Sequence, residues 1–163
     1  MKTIYLAGGC FWGMQKFFDQ FDGIAKTEVG YANGPDYAPS YQEVCKSSGH
    51  AETLRIDYEP EKISLTSILE YYFLVIDPLS VNIQGEDSGI QYRTGIYYTG
   101  EDQLPEIRAV YAAEENKAGA KLAVELEKLK NFFPAEEYHQ KYLDKNPGGY
   151  CHIPGRFFSL GQK

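Results

Sequence analysis

The segment GGCFWG, residues 8–13, holds one cysteine between glycines and beside two large aromatic rings. An apolar run typical of a strand precedes it, and apolar residues at helical spacing follow it as far as a stop at Gly23. Cys10 therefore lies at the start of a predicted helix, where unpaired backbone N–H groups and the helix dipole stabilise a thiolate and lower the thiol pKa. We predict that Cys10 is a reactive nucleophile rather than a structural buried cysteine.

Glu52 is the second residue with a pattern that indicates chemistry. It stands just before a predicted strand over residues 53–58, in which Leu54, Ile56 and Tyr58 alternate with polar residues. Glu52 falls on the same face as these apolar side chains, and acidic side chains are rarely buried without a functional reason. Because burial disfavours the carboxylate anion and raises the carboxyl pKa, the pattern predicts a proton donor at Glu52.

The remaining candidates for metal binding or nucleophilic catalysis are few. The strong metal ligands other than carboxylates are Cys10, Cys45, Cys151, His50, His139 and His152. None of them shows the C-x-x-C or H-x-x-x-H spacing of a metal site, so we expect no metal. A cysteine hydrolase with His139 or His50 as its base is one alternative. An aromatic-lined binding module without turnover is another.

These residues must be positioned by alternating strands and helices. The predicted strands cover residues 3–7, 24–31, 53–58, 94–99 and a stretch around 122–126, and the predicted helices cover residues 11–21, 65–76, 105–119 and 134–143. Long loops are predicted at residues 32–50 and 79–93, followed by an irregular tail from Asn146. The first six elements match the split β-α-β pattern. We therefore predict an α+β two-layer sandwich with a ferredoxin-like sheet, in a single domain over residues 1–163.

Length and composition narrow the classes of protein. The chain has 163 residues, of which 43% are apolar and 24% charged, values typical of one soluble globular domain. The net charge of −7 would repel phosphates, so we expect no nucleic-acid partner. No apolar run is long enough to span a bilayer and the first residues lack a signal peptide, which predicts a cytoplasmic protein without membrane contact. Three cysteines do not fit a disulfide-bonded secreted scaffold.

Four segments in a fixed order resemble a known family. They are GCFWG at residues 9–13, YQEVCKSSGHAE at 41–52, GEDSGIQYRTGIY at 85–97 and HQKYLDKNPGGYC at 139–151. Together they are similar to the type A peptide methionine sulfoxide reductases, the MsrA family, and the resemblance extends from Tyr5 to Cys151. Type A enzymes reduce the S epimer of methionine sulfoxide, free or in proteins, and this repair divides the two epimers between two enzyme types.

The resemblance implies roles for residues in the first two segments. Cys10 would be the nucleophile that attacks the sulfoxide sulfur. Phe11 and Trp12 would form the pocket for the S-methyl group, which fits the favourable packing of sulfur and methyl groups on aromatic rings. Glu52 would be the acid, since a sulfoxide sulfur is a poor electrophile until its oxygen is protonated or strongly hydrogen-bonded.

The resemblance assigns the other site residues in the same way. Tyr41, Asp87 and Tyr92 match residues that bind the sulfoxide oxygen or organise its neighbours, and Cys151 matches the resolving cysteine. Reduction would leave a sulfenic acid at Cys10, which Cys151 would convert to a disulfide for thioredoxin or a small dithiol to reduce. The expected protein is a peptide-methionine (S)-S-oxide reductase that repairs oxidised proteins, acts as a monomer and needs no cofactor.

Overall fold

The computed structural model describes residues 1–161 and shows a mixed α+β fold. The strands are β1 (Lys2–Gly8), β2 (Ile24–Ala32), β3 (Ala51–Tyr58), β4 (Ile83–Gln84), β5 (Asp87–Ser88), β6 (Thr94–Tyr98), β7 (Glu125–Lys128) and β8 (Phe132–Pro134). The α-helices are α1 (Phe11–Asp19), α2 (Tyr41–Cys45), α3 (Leu65–Val75), α4 (Leu104–Ala118) and α5 (Tyr142–Lys145). Short 3-10 helices lie at Ile90–Tyr92, Glu101–Gln103, Glu137–His139 and Gly155–Ser159.

A six-stranded sheet in the order β7-β6-β1-β3-β2-β8 forms the centre of the fold, and β4 and β5 form a separate hairpin. Neighbouring strands of the large sheet are antiparallel except β6 and β7, which are parallel. Leu6 on β1 pairs with Leu54 on β3, and Tyr31 on β2 pairs with Glu52 on β3. Because side chains alternate along a strand, Glu52 shares the face of Leu54.

Apolar side chains on that face pack with α1 and α3 into one core. The core includes Ile4, Leu6, Leu54 and Ile56 from the sheet and Met14, Phe17, Phe18, Ile68 and Leu69 from the two helices. Each fully buried side chain of this kind contributes about 1.5–3 kcal/mol to folding. The packing holds the N-terminus of α1 against the ends of β1 and β3, where the predicted chemical groups lie.

Most predicted elements are confirmed, but the helix predicted over residues 134–143 is wrong. Pro134 ends the edge strand β8, where it lies opposite Gly30, and an edge strand tolerates a residue without an N–H donor. A 3-10 helix and the short helix α5 follow it. Proline favours the first turn of a helix, but pairing with β2 decides its conformation in this chain.

The two predicted long loops contain short elements that the sequence analysis did not assign. Residues 32–50 include α2, which begins with a capping box between Ser40 and Glu43. Residues 79–93 include the β4–β5 hairpin and a 3-10 helix. The strand predicted around residues 122–126 begins three residues later, as β7 at Glu125. Within residues 1–161, no helix is long and apolar enough to cross a membrane.

Candidate active site

Cys10 is the residue between the end of β1 and the start of α1. Gly9 makes the turn with a φ of 84°, and a Cβ at Gly9 would lie only 2.7 Å from Cβ of Gln84, so the position requires glycine. Cys10 is the N-cap residue of α1, as predicted, and only 7% of it is exposed. The sulfur therefore combines a helix N-terminus with a largely buried environment.

Glu52 lies beside Cys10 at the start of β3 and is 1% exposed. Its Oε1 accepts a hydrogen bond of 3.2 Å from the backbone N–H of Phe11, the first residue of α1. Its Oε2 is buried and has no hydrogen-bond partner among residues 1–161. One carboxyl oxygen is thus anchored to the helix, and the other is available to a group from outside the protein.

The pKa of Glu52 is raised, as the strand pattern predicted. Burial raises it to about 8, because loss of hydration disfavours the anion. The Phe11 N–H lowers it and the negative charge of Asp87 raises it further. The carboxyl is therefore protonated at neutral pH and can donate a hydrogen bond or a proton.

The pKa of Cys10 is shifted in the direction opposite to our prediction. Burial raises it well above the ordinary thiol value, and the negative charge of Glu52 raises it further. The backbone N–H of Trp12 lowers it, as expected at a helix N-terminus, but burial has the larger effect. The predicted low pKa is therefore wrong, and the free protein holds Cys10 as a neutral thiol at neutral pH.

Phe11 and Trp12 are the aromatic residues of the first turn of α1. Phe11 is 1% exposed, and its ring lies 5.7 Å from that of Tyr31 and 5.3 Å from that of His139. Trp12 is half-buried and stacks on Tyr142 with ring centroids 3.8 Å apart and planes at 11°. The indole N–H of Trp12 donates to Nδ1 of His139 at 2.9 Å. The indole is thus held both at one face and at its polar edge.

Tyr41 and Tyr92 lie within the electrostatic range of Glu52 on two different segments. Tyr41 begins α2, and its backbone N–H donates to Oε2 of Glu136 at 2.9 Å. Tyr92 ends the 3-10 helix over residues 90–92. Burial raises the pKa of both phenols, and the negative charge of Glu52 raises each further. Both hydroxyls therefore remain neutral hydrogen-bond donors at neutral pH.

Asp87 lies in the β4–β5 hairpin opposite Gln84. The Gln84 side chain bonds the backbone N–H and C=O of Asp77 at 2.8 and 2.9 Å, which ties the hairpin to the end of α3. Burial raises the pKa of Asp87, and the nearby Tyr150 hydroxyl lowers it. Oδ2 of Asp87 is a second buried acceptor without a partner among the described residues.

Cys151 lies against the first turn of α1. A Cβ built on Gly13 would come within 2.9 Å of the Cys151 sulfur. The thiol is half-buried and donates weakly to the carbonyl of Ile153 at 3.6 Å, and Ile153 is only 4% exposed in the core. Cys10, Cys45 and Cys151 are free thiols, and Cys45 is exposed. The irregular tail thus brings Cys151 to α1, the helix that Cys10 caps.

The histidines considered as bases have other partners. The ring nitrogens of His50 bond to the carbonyl of Pro35 and the hydroxyl of Ser48, both at 2.8 Å. His139 bonds to Trp12. Among the residues described, neither is hydrogen-bonded to Cys10, so neither of the two is placed as the base of a cysteine hydrolase. In the same part of the chain, no group of three His, Cys, Asp or Glu side chains could hold a metal ion.

Glu136 and Tyr142 had no predicted site role, and His139 was predicted only as the base of the alternative hydrolase. Glu136 accepts from the Tyr31 hydroxyl at 2.8 Å as well as from the Tyr41 backbone. Its pKa is lowered by these hydrogen bonds despite burial, so it remains an anion at neutral pH. These residues follow β8, in the segment wrongly predicted as one helix, and the HQKY run at residues 139–142 was the available signal.

Known proteins are similar to this chain over nearly its whole length. A family model described as peptide methionine sulfoxide reductase matches residues 2–159. A protein named peptide methionine sulfoxide reductase MsrA, from Ureaplasma urealyticum serovar 10, is 51% identical over 154 residues, which are 94% of this chain and 93% of the relative. The structure of reduced Mxr1 from Saccharomyces cerevisiae matches with a TM-score of 0.89 at 39% identity, over 94% of this chain and 91% of the yeast chain. Mxr1 in complex with Trx2 matches with a TM-score of 0.57 at 26% identity, over 86% and 84% of the two chains. The chain therefore belongs to the peptide methionine sulfoxide reductase family.

Proposed function

We propose that this protein reduces the S epimer of methionine sulfoxide, free or in proteins, with Cys10 as the nucleophile and Glu52 as the acid. The observation that carries the proposal is the buried Oε2 of Glu52, which has no partner within residues 1–161, on a carboxyl with a pKa of about 8 beside the thiol. An O–H group without an acceptor in a buried site costs free energy. A sulfoxide oxygen would supply the missing acceptor.

The proposed first step transfers one oxygen atom from substrate to enzyme. Glu52 donates its proton to the sulfoxide oxygen, which makes the sulfur electrophilic, and the sulfur of Cys10 attacks it. The attack forms a bond between the two sulfurs. The oxygen then passes from the substrate sulfur to the Cys10 sulfur, while the sulfur–sulfur bond and the sulfur–oxygen bond of the substrate break, which leaves a sulfenic acid on Cys10 and releases methionine. The thiol proton of Cys10 returns to the carboxylate of Glu52, so the step needs no other acid, base or cofactor.

The substrate pocket would combine an aromatic wall with neutral hydrogen-bond donors. Phe11 and Trp12 would pack against the S-methyl group, because methyl and sulfur groups pack well on aromatic rings. The Tyr41 and Tyr92 hydroxyls would donate to the sulfoxide oxygen without adding charge, which fits their raised pKa values. Asp87 would organise these groups from the hairpin, since its negative charge raises the pKa of both Glu52 and Tyr92.

Cys151 would complete the cycle as the resolving cysteine. Its thiol would attack the Cys10 sulfenic acid to form a disulfide, and the oxygen would leave as water. The position of its sulfur against Gly13, on the first turn of α1, supports this assignment. Thioredoxin would then reduce the disulfide by exchange, and the complex of Mxr1 with Trx2 supports such a partner.

We further propose that the four strands β6-β1-β3-β2 form a ferredoxin-like core in a two-layer sandwich. Their order and the positions of α1 and α3 in the connections support this description. A monomer would suffice for the reaction, because the proposed site residues within one chain supply the nucleophile, the acid and the resolving thiol. A cytoplasmic location would suit an enzyme that needs a reduced dithiol for every turnover.

The test is to mix the reduced protein with each purified epimer of methionine sulfoxide and to measure methionine and free thiols. We expect the S epimer to yield methionine and to consume about two thiols per chain, with the third retained on Cys45, by the sulfenic acid and disulfide route. The R epimer should consume none. A binding module would give neither product nor thiol loss, and that result with the S epimer would overturn the proposal.

A further inference from the structure

The tail around Cys151 places alternate side chains against two different elements. A Cβ built on Gly13 of α1 would come within 2.9 Å of the Cys151 sulfur and 3.3 Å of Cδ1 of Ile153, so these two residues face the helix. His152, between them, lies instead against the β4–β5 hairpin, where a Cβ built on Gly85 would come within 2.9 Å of its Cβ. The tail therefore lies between α1 and the hairpin, with the proposed resolving thiol on the helix side.

The imidazole of His152 fills the space between two glycine turns. Gly85 lies in the turn of the hairpin, and Gly9 lies in the turn before Cys10. A Cβ built on Gly9 would come within 3.3 Å of His152 Nε2, at the far end of the ring. Both glycines have positive φ, 61° and 84°, and neither has a side chain that would occupy this space. The ring therefore connects the tail to the turn that precedes the nucleophile.

The ring nitrogens of His152 have no partner that would explain a polar side chain here. Both are buried, and neither makes a hydrogen bond within the described part of the chain. A neutral imidazole always carries one N–H, and burying it without an acceptor costs free energy. The ring bonds to neither Cys10 nor Cys151, so it is not placed as an acid or base for the thiols. What it supplies is contact between the tail and the two turns.

We propose that His152 is a positioning residue for the resolving step, which holds Cys151 against α1 by filling the space between the two glycine turns. This inference rests on the proposed function, because that function makes Cys151 the thiol that attacks the Cys10 sulfenic acid. A thiol held beside its target reacts faster than one on a free tail, because its freedom of movement is lost before the reaction. Without the ring, the tail leaves α1 more often and the disulfide forms more slowly.

The contact requires a neutral ring, since an imidazolium between the turns would be a buried cation without a hydrogen-bond acceptor. Burial lowers the pKa of His152 from its ordinary value of 6.5, and the nearby Gly8 carbonyl raises it without forming a hydrogen bond to either nitrogen. The titratable groups on the elements packed against the ring do not shift this pKa; they are Cys10, Glu86, Asp87, Tyr150 and Cys151. The bound position of the tail is therefore most stable above pH 6.5 and is weakened as the pH falls.

The test compares His152→Ala, which empties the space, with His152→Leu, which fills a similar volume and cannot be protonated. The initial rate at which N-ethylmaleimide labels Cys151 in the reduced protein, read by peptide mass spectrometry, reports how often the tail leaves α1. Quenched flow after mixing with methionine sulfoxide reports disulfide formation. We expect His152→Ala to speed labelling and to slow disulfide formation by about 10-fold each, while the first release of methionine is unchanged. His152→Leu should form the disulfide at close to the wild-type rate at pH 8.

A pH series supplies a readout that loss of packing alone would not change. The ratio of Cys151 labelling in the wild type to that in His152→Leu should rise by about 10-fold from pH 7 to pH 5, because protonation releases only the wild-type tail. Ionisation of the thiol cancels in this ratio. Labelling of Cys45, which is exposed, is the internal control and its ratio should stay constant. His50→Leu, which removes a histidine buried in another loop, should label Cys151 at the wild-type rate.

Wild-type labelling and disulfide formation in His152→Ala would overturn the proposal. A ratio between wild type and His152→Leu that does not change with pH would also overturn it, even if His152→Ala fails to fold. Labelling needs no turnover, so it tests the position of the tail even if the wild-type protein reduces no sulfoxide, the result that would instead refute the proposed function.

Discussion

Replacing Glu52 with glutamine should make the protein more stable and greatly reduce its activity. Glutamine keeps the shape of the side chain and an oxygen that can accept the Phe11 N–H, but it is neutral at every pH. Wild-type Glu52 is ionised in the unfolded chain above its ordinary pKa of 4.5, and it must take up a proton to occupy a site where its pKa is about 8. Folding at neutral pH therefore carries a cost that the Glu52→Gln variant does not have.

The size of this cost follows from linkage. Between pH 4.5 and 8 the folded state binds a proton that the unfolded state has released, so wild-type stability falls as the pH rises. One pKa unit corresponds to about 1.36 kcal/mol. The free energy of unfolding of the wild-type protein should therefore be lowered by about 1 kcal/mol at pH 5, by about 3 kcal/mol at pH 7 and by at most about 5 kcal/mol above pH 8. Differences in packing between the two side chains do not depend on pH, so the pH series separates them from this effect.

The assay is urea unfolding of the reduced wild-type and Glu52→Gln proteins from pH 5 to 8, with methionine release measured at each pH. The free energies of unfolding of the two proteins should diverge as the pH rises. The rate of methionine release by the variant should be lower by roughly 10²–10⁴-fold, the range of general acid catalysis. The wild-type rate should fall as the pH rises through about 8, where Glu52 loses its proton. Glu70→Gln, on the exposed surface of α3, is the matched control. Parallel stability curves would show that Glu52 is ionised in the folded protein, and a wild-type rate in the variant would refute its role as the acid.

Three further changes test the thiol steps. Cys10→Ser should abolish methionine release with thioredoxin or dithiothreitol, because a hydroxyl stays protonated and is a weak nucleophile. Methionine release would be measured by chromatography, and any release by this variant would show that another residue is the nucleophile. Cys151→Ser should release one methionine per chain in a burst and then stall with thioredoxin as the reductant, while dithiothreitol should restore part of the turnover. The control Cys45→Ser should turn over normally. The reverse pattern would identify Cys45 as the resolving cysteine. Gly13→Ala would bring a methyl carbon to 2.9 Å from the Cys151 sulfur, so disulfide formation in quenched flow should slow while the first release of methionine does not. Equal slowing of both steps would contradict the placement of Cys151.

Features that depend on neighbouring residues were accessible from the sequence. The strand, glycine turn and helix around Cys10 follow from local apolar periodicity and from the freedom of glycine at positive φ. The burial of Glu52 follows from its position two and four residues before Leu54 and Ile56, because alternate side chains of a strand lie on the same face. The capping box at Ser40 and Glu43 is also a local signal, and reading it would have predicted α2.

Features that depend on pairing between distant segments were not accessible in this way. Pro134 reads locally as a helix start, but it ends a strand because β2 presents a free edge to it. The hydrogen bond between Trp12 and His139 joins residues 127 positions apart, and no local pattern indicates that an indole and an imidazole will meet. The position of Cys151 against Gly13 likewise depends on packing of the tail in the core.

The pKa of Cys10 shows most clearly what each level decides. The sequence by itself determined that the thiol lies at a helix N-terminus, an environment that lowers a pKa through nearby N–H groups. The tertiary structure decided the outcome, because packing of α1 on the sheet buries the sulfur and places it beside Glu52, 42 residues along the chain. Local sequence controls backbone geometry over a few residues, whereas desolvation and charge depend on every segment that packs around a group.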